Sequence, residues 1–327
     1  MTDLALTDTS TLSVRTVSAR RAGLLNTAFR LLTLIAALLL PVIFAGVIAS
    51  LVVGAMPALS KFGIAFVWTE AWSPTQEKFG ALGPIYGTLV TSLLAMVVAV
   101  PVGIGVAIFL TELCPRVLRR GIGIAIELLA GIPSIIYGIW GLFVFAPWLQ
   151  VHFQQPVIDA TVNIPVLGTL FGGTAYGIGI FTGGLILSIM ILPFISAVTR
   201  DVLETVPPVL KEAAYGLGCT TWEVMWRVAL PFSRTGIVGG AMLALGRALG
   251  ETMAITFVIG NSHHISSSLF APGTSISAAI ANEFAESTGE MYTSALITLG
   301  LLLFVITFIV LACAQLMLRQ LDKRQGA

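Results

Sequence analysis

Charge is what this chain most lacks: only 10% of its 327 residues are Asp, Glu, Lys or Arg, while 57% are hydrophobic. With a mean hydropathy of +0.97 it cannot be a water-soluble domain, and apolar runs long enough to cross ~30 Å of hydrocarbon recur along it. A net charge of +1, with no basic cluster interleaved with aromatics, offers nothing to nucleic acid. Lysine is scarcer still. A nucleotide-binding P-loop needs Gly-Lys followed by Ser or Thr, and none of the four lysines (Lys61, Lys78, Lys211, Lys323) follows a glycine, so no ATP site is recognisable. The three cysteines, Cys114, Cys219 and Cys313, permit no external disulfide framework and no metal-type spacing with histidine. His152, His263 and His264 stand in loops without a plausible nucleophile, which removes support for a membrane protease or zinc enzyme. No cofactor and no metal are expected. There is no convincing internal repeat and no hydrophilic segment large enough for a second domain.

What is present is apolar length. Hydropathy predicts an all-α membrane protein with six spanning helices, near residues 31–56, 84–110, 121–148, 174–198, 236–260 and 293–318. Of the 17 Lys and Arg residues, fourteen fall on one face: four in the N-terminal tail, three after the second span, four around residues 200–234 and three at the C-terminus. The opposite face has only Lys61 and Lys78, and the 261–292 loop has Glu283, Glu286 and Glu290 with no base. The positive-inside rule then places both termini in the cytoplasm. Residues 1–30 are polar, Ser/Thr-rich and basic, and read as a cytoplasmic tail or amphipathic lead-in helix. Residues 31–327 read as one transmembrane domain. The apolar run from Leu31 exceeds a typical signal core, which favours an uncleaved first helix.

A compact polar island interrupts the apolar pattern on the cytoplasmic side, within a hairpin at 199–235. Thr205, Pro207 and Pro208 open a first helix, and Gly218 is suited to the left-handed residue that closes one. Thr220 and Glu223 then form a Thr-x-x-Glu capping box for a second helix running to Pro231, with Trp222, Met225, Trp226 and Ala229 at single-face spacing. The two tryptophans suit an interfacial anchor and a docking face equally.

Charges inside the spans are costly and therefore informative. A central Arg costs about 2.5–3.5 kcal/mol on insertion scales and must face protein or water. Arg247 is the twelfth residue of the predicted 236–260 span, near the midplane, with Glu251 expected one turn beyond on the same face. A guanidinium fork matches oxyanions, so anion passage is favoured over a purely structural ion pair. Gly236/Gly240 and Gly246/Gly250 have GxxxG spacing, a weak sign of a dimer or pore face. Glu127 lies a turn and a half beyond Arg119 and Arg120, where it can snorkel or pair, and a structural role is favoured. Next to it, Gly131-Ile-Pro133-Ser134 predicts a kink, and Ser134 supplies a hydroxyl to a possible path.

Glu212-Ala213-Ala214, three residues, Gly218, nine residues, then Val228-Ala229-Leu230-Pro231 resembles the EAA signature of ABC importer permeases, with Val228 in place of Ile. Trp72-Ser-Pro, Phe79 to Ser92, Phe109-Leu-Thr-Glu112, Glu127 to Gly138 and Gly246 to Asn261 resemble the PstC-type phosphate permeases over most of the chain after residue 60. The Met-Ala-Ile-Thr that follows Gly-Glu-Thr sets it apart from the paired PstA-type subunit. The resemblance implies a type I ABC importer permease fold in a prokaryotic cytoplasmic membrane and no catalysis by this chain. It also implies a PstA-type partner as heterodimer, two ATP-binding subunits and an external phosphate-binding protein. Glu212, Ala213, Ala214, Gly218, Leu230 and Pro231 match the ATPase-coupling site, and Arg247 with Glu251 matches residues implicated in phosphate passage. Two rivals stay open. One is a PstA-type or other oxyanion permease, for sulfate or molybdate; the other is a stand-alone channel or secondary transporter, which leaves the EAA hairpin unexplained.

Overall fold

A computed structural model describes the backbone from residue 9 to 325 and side chains from 25 to 319; the first eight residues of the expected tail lie outside the described residues. Among the described residues six helical runs are long and apolar enough to cross a membrane: Leu25–Phe62, Leu82–Leu113, Ser134–Thr161, Ile180–Glu204, Thr221–Leu249 and Glu290–Arg319. The chain divides into two units, residues 1–53 and 54–327. The first contains most of helix α1 (Thr9–Phe62), and none of its side chains from Leu25 to Val53 is buried.

The second unit is built around α2 (Leu82–Ile108) and α5 (Ile180–Glu204), which pack along each other. Its main core joins Ala95 and Ala99 of α2, Ile186, Leu187, Ile191 and Ile195 of α5, and Ala244 and Ala248 of α8 (Leu230–Leu249). Small residues on two helices let the branched side chains of α5 fill the space between them. One GxxxG pair is used up in this way. A Cβ at Gly236 would meet Val202 at 2.6 Å and one at Gly240 would meet Val198 at 2.5 Å, so both glycines seat α8 on α5 inside the chain.

Proline shapes the remaining helices in two ways. The segment expected as one kinked span from 121 to 148 is two helices, α3 (Arg116–Ala130) and α4 (Ser134–Trp140), separated outright at Gly131–Pro133. Pro133 takes φ −56° and ψ 135°, an extended conformation that no continuous helix contains. The third membrane span is therefore Ser134–Thr161 rather than 121–148. Elsewhere the helix widens instead of breaking: π-turns at Gly141–Phe145, Gln150–Gln154 and Met225–Ala229 directly precede the turns holding Pro147, Pro156 and Pro231. A proline has no N–H and crowds the carbonyl four residues back, and a wider turn relieves both problems.

Candidate functional site

The hairpin forms largely as its sequence dictates. Helix α6 (Pro208–Gly216) ends in a turn where Gly218 takes φ +86°, a left-handed backbone that a residue with a Cβ resists. Helix α7 (Thr221–Val224) then starts at a complete capping box: Thr220 Oγ1 accepts from the Glu223 N–H, while Glu223 Oε2 accepts from the Thr220 N–H at 2.9 Å. Pro231 does not end this helix. Through the π-turn α7 continues into α8, so the hairpin's second arm and the fifth span are one rod.

The expected apolar face also divides. Met225 and Ala229 are buried with Ala107, Leu203 and Val206, whereas Trp222 and Trp226 stack at 5.4 Å on the outside, 69% and 61% exposed. Glu212, Ala213 and Gly218 are exposed, Ala214 is buried, and Leu230 is half-buried beside Pro231. Val209 and Leu217 project from the hairpin, 71% and 86% exposed, an apolar surface that water alone does not favour. Sequence reasoning missed the residue that ties this element down. Lys211 Nζ donates to Glu112 Oε1 at 2.6 Å with both side chains over four-fifths buried, linking α6 to the π-turn at the end of α2. The signal was long-range, a lone acid in one apolar run matched by a lone base 99 residues later.

The charged pair of the fifth span is arranged differently from the expectation. Helix α8 ends at Leu249; Gly250 (φ −93°, ψ 1°) and Thr252 (φ −112°, ψ −67°) break the helical path before the single turn α9 (Met253–Thr256). Glu251 is therefore not one helical turn beyond Arg247 on a continuous face. Its Oε1 accepts from the Ala254 N–H at 3.4 Å, and its own carbonyl accepts from Ser277 Oγ at 2.6 Å. Arg247 is exposed in the last turn of α8 and has no hydrogen bond or ion pair among the described residues. Glycine supplies no side chain to hold the helix, and the Glu251 carboxylate gives the next turn an alternative cap.

This break meets the other one. A Cβ at Gly138 of α4 would lie 2.9 Å from the Met253 carbonyl oxygen and 3.2 Å from that of Ala254, so α4 docks directly on α9. Behind them α10 (Ile276–Glu283) begins at Ser275, whose hydroxyl accepts from the Ala278 N–H, and the Ile276 N–H donates to Thr88 Oγ1 of α2 at 2.9 Å. Tyr137 reaches across the first break to donate to the Leu129 carbonyl at 2.8 Å, adding to the Ile132 N–H bond that this carbonyl accepts at 3.3 Å. Two discontinuous helices in contact expose backbone polar groups where lipid cannot serve them, an arrangement tolerated only against protein or water. Ser134, on the first turn of α4, is half-buried and its hydroxyl has no partner among the described residues. Glu127 pairs with neither Arg119 nor Arg120; its Oε1 accepts from Arg200 Nη2 of α5 at 3.1 Å, a bond that holds α3 to α5.

A second polar cluster gathers Trp72, His263 and Glu283, outside the spans, with Tyr292 in the first turn of the last one. Glu283 accepts from Trp72 Nε1 at 2.7 Å, Tyr292 Oη at 2.6 Å and His263 Nε2 at 2.7 Å, while His263 stacks on Trp72. Burial by itself pushes the Glu283 carboxyl up; the bonds from His263, Tyr292 and Trp72 outweigh it and hold the group below the usual range.

Two interrupted helices in contact, an arginine unpaired among the described residues at the end of one of them, and an exposed capped hairpin continuous with that same helix are features of a membrane permease. Residues 99–326 match the family of binding-protein-dependent transport system inner membrane components. The chain is 61% identical to the phosphate transport system permease protein PstC of Mesorhizobium japonicum over 96% of each chain, and 56% identical to that of Pasteurella multocida over 91% and 93%. The bacterial alginate ABC transporter in complex with its alginate-bound periplasmic protein shares the fold, with a TM-score of 0.58 at 20% identity over 89% of this chain and 95% of that one. The chain therefore belongs to the binding-protein-dependent inner-membrane permeases, in their PstC-type branch. It is a multi-pass inner-membrane transport subunit.

Proposed function

We propose that this chain, as the permease subunit of an ATP-driven importer, carries inorganic phosphate past Arg247 and Glu251, with both termini and the 199–235 hairpin in the cytoplasm. Residues 31–327 act as the permease domain behind the tail at 1–30. The name shared by its 61% and 56% identical relatives supports the substrate. Arg247 carries the site assignment: an exposed guanidinium, unpaired within the described residues, on a membrane span must face water or a second protein. An interface with a PstA-type subunit supplies both. Phosphate is an oxyanion that the planar fork can grip at two oxygens. Glu251 caps α9 next to it and repels an anion that lingers, while Ser134 and Glu127 bracket the neighbouring break. ATP is hydrolysed on two partner chains that seat on Glu212, Ala213, Ala214, Gly218, Leu230 and Pro231, and an external phosphate-binding protein delivers the cargo. The α7–α8 rod carries hairpin movement directly to the Arg247 end.

The experiment is ATP-dependent phosphate uptake by the reconstituted complex. Arg247→Ala and Glu251→Gln are expected to copurify with all partners and to lower uptake at least about tenfold, the equivalent of one lost charge-assisted contact. Uptake at the wild-type rate with either variant removes that residue from the pathway. Competition by sulfate or molybdate as effective as that by phosphate reassigns the cargo.

A further inference from the structure

Helix α3 is amphipathic in an unusual sense. Arg116, Arg119, Arg120 and Glu127 fall within one stripe, because positions three, four and eleven residues on return to the same side of a helix. Val117, Leu118 and Leu128 lie off this stripe and are 90%, 55% and 67% exposed. That apolar side keeps this end of the unit at the edge of hydrocarbon, at the depth where phosphate headgroups lie.

Between the charged stripe and α5 is a cavity of about 330 Å³ lined by Arg116, Arg119, Arg120 and Arg200 against Glu127 and Glu204. Four guanidiniums thus face two carboxylates. Arg200 Nη2 donates to Glu127 at 3.1 Å and to the neighbouring Asp201 at 3.4 Å, and Arg119 Nη2 is held by the Thr111 carbonyl. Arg116 and Arg120 have no ion-pair or hydrogen-bond partner among the described residues. Gly123 lies within the same stripe, and a Cβ there would stand 3.4 Å from Arg200 Nη1, so the missing side chain leaves room for that guanidinium. With Asp201 counted, four guanidiniums still meet only three carboxylates, and Arg116 and Arg120 present the fork geometry that a phosphate group requires.

We propose that this cavity binds a phosphate group, either the headgroup of an anionic phospholipid or a free phosphate ion. Basic pockets between helices at a membrane surface suit anionic headgroups. The site lies on α3 and α5 and contains neither Arg247 nor Glu251; only Glu127 touches both regions, and it is left unchanged in the test, so failure here leaves the pathway reading intact.

The test uses the complete transporter in nanodiscs, wild type against Arg116→Gln/Arg120→Gln. Both positions are exposed, so equal thermal midpoints are expected and check that the fold is kept. In discs containing phosphatidylglycerol, native mass spectrometry counts retained anionic lipid; in purely phosphatidylcholine discs, radiolabelled inorganic phosphate is titrated at a position-blind Arg247→Ala background. Removing two arginines is expected to weaken binding about thirtyfold in the arm that reports the true ligand. Loss in the first arm assigns a lipid and loss in the second a free ion. Equal binding by wild type and variant in both arms overturns the site.

Discussion

The capped hairpin and the paired helix breaks are both irregular, yet they are irregular for opposite reasons. The hairpin is written locally. Two prolines, a left-handed glycine and a capping box lie within the segment they shape, and most of its surface stays exposed. The breaks at Gly131–Pro133 and Gly250–Thr252 are held in place from a distance, by Gly138 against the α9 carbonyls and by Ser277 against Glu251. A locally encoded element can move as a unit without losing its shape, which suits a part that passes on force. An element fixed by its neighbours changes only when they do, and that suits a gate.

The contrast is broken most severely at Gly138. Substitution by Val places methyl groups where the Met253 and Ala254 carbonyls already stand within 3.2 Å of the Cβ, and neither is a flexible side-chain end. Separating α4 from α9 is expected to cost about 3 kcal/mol, at the upper end for overpacking, and to abolish uptake. Thermal unfolding of the purified complex checks it. A wild-type midpoint would mean the two breaks are independent.

That dependence also explains what the sequence could and could not reveal. Four of the six spans, the first, second, fourth and last, were located within about six residues at both ends, since apolar length is a sum over many side chains, whereas the third and fifth were displaced by more than ten. The hairpin's turn and caps were legible because their causes lie within a few residues of one another. The end of α8 was not. Gly250 invites a break, but Met253-Ala254-Ile255 continues the apolar run, and only packing against α4 and α10 decides between the two. Glu127 was legible as a charge needing a partner; its choice of Arg200 over Arg119 depends on how α3 lies on α5.

A middle-sized effect is expected where the hairpin does depend on a distant residue. Lys211→Met removes the cation from a pair whose carboxylate, on Glu112, is 15% exposed. The stranded charge should cost about 2 kcal/mol, less than for a fully buried pair because water reaches part of it. Amide exchange across α6 should quicken while α4 and α9 keep their protection. Unchanged exchange would show that the apolar contacts of Met225 and Ala229 hold the hairpin alone.

The smallest stability change and the most diagnostic one belong to Gly218. No atom lies within 4 Å of a Cβ built there, so Gly218→Val has nothing to collide with, and its whole effect is the strain of φ +86° on a β-branched residue. That strain, about 1–2 kcal/mol, is relieved by flattening the turn between α6 and α7 rather than by unfolding either helix. Gly216 has equally open space but no positive φ, which makes Gly216→Ala the matched control for lost flexibility. The expectation is a correctly inserted permease in both variants, with ATPase copurification and uptake reduced for Gly218→Val alone. If both variants couple normally, the turn geometry is not what the ATPase reads, and the apolar tips at Val209 and Leu217 become the contact to substitute. If both lose coupling, flexibility rather than a fixed left-handed turn is the property that matters, and the hairpin would resemble the gate more closely than its local encoding suggests.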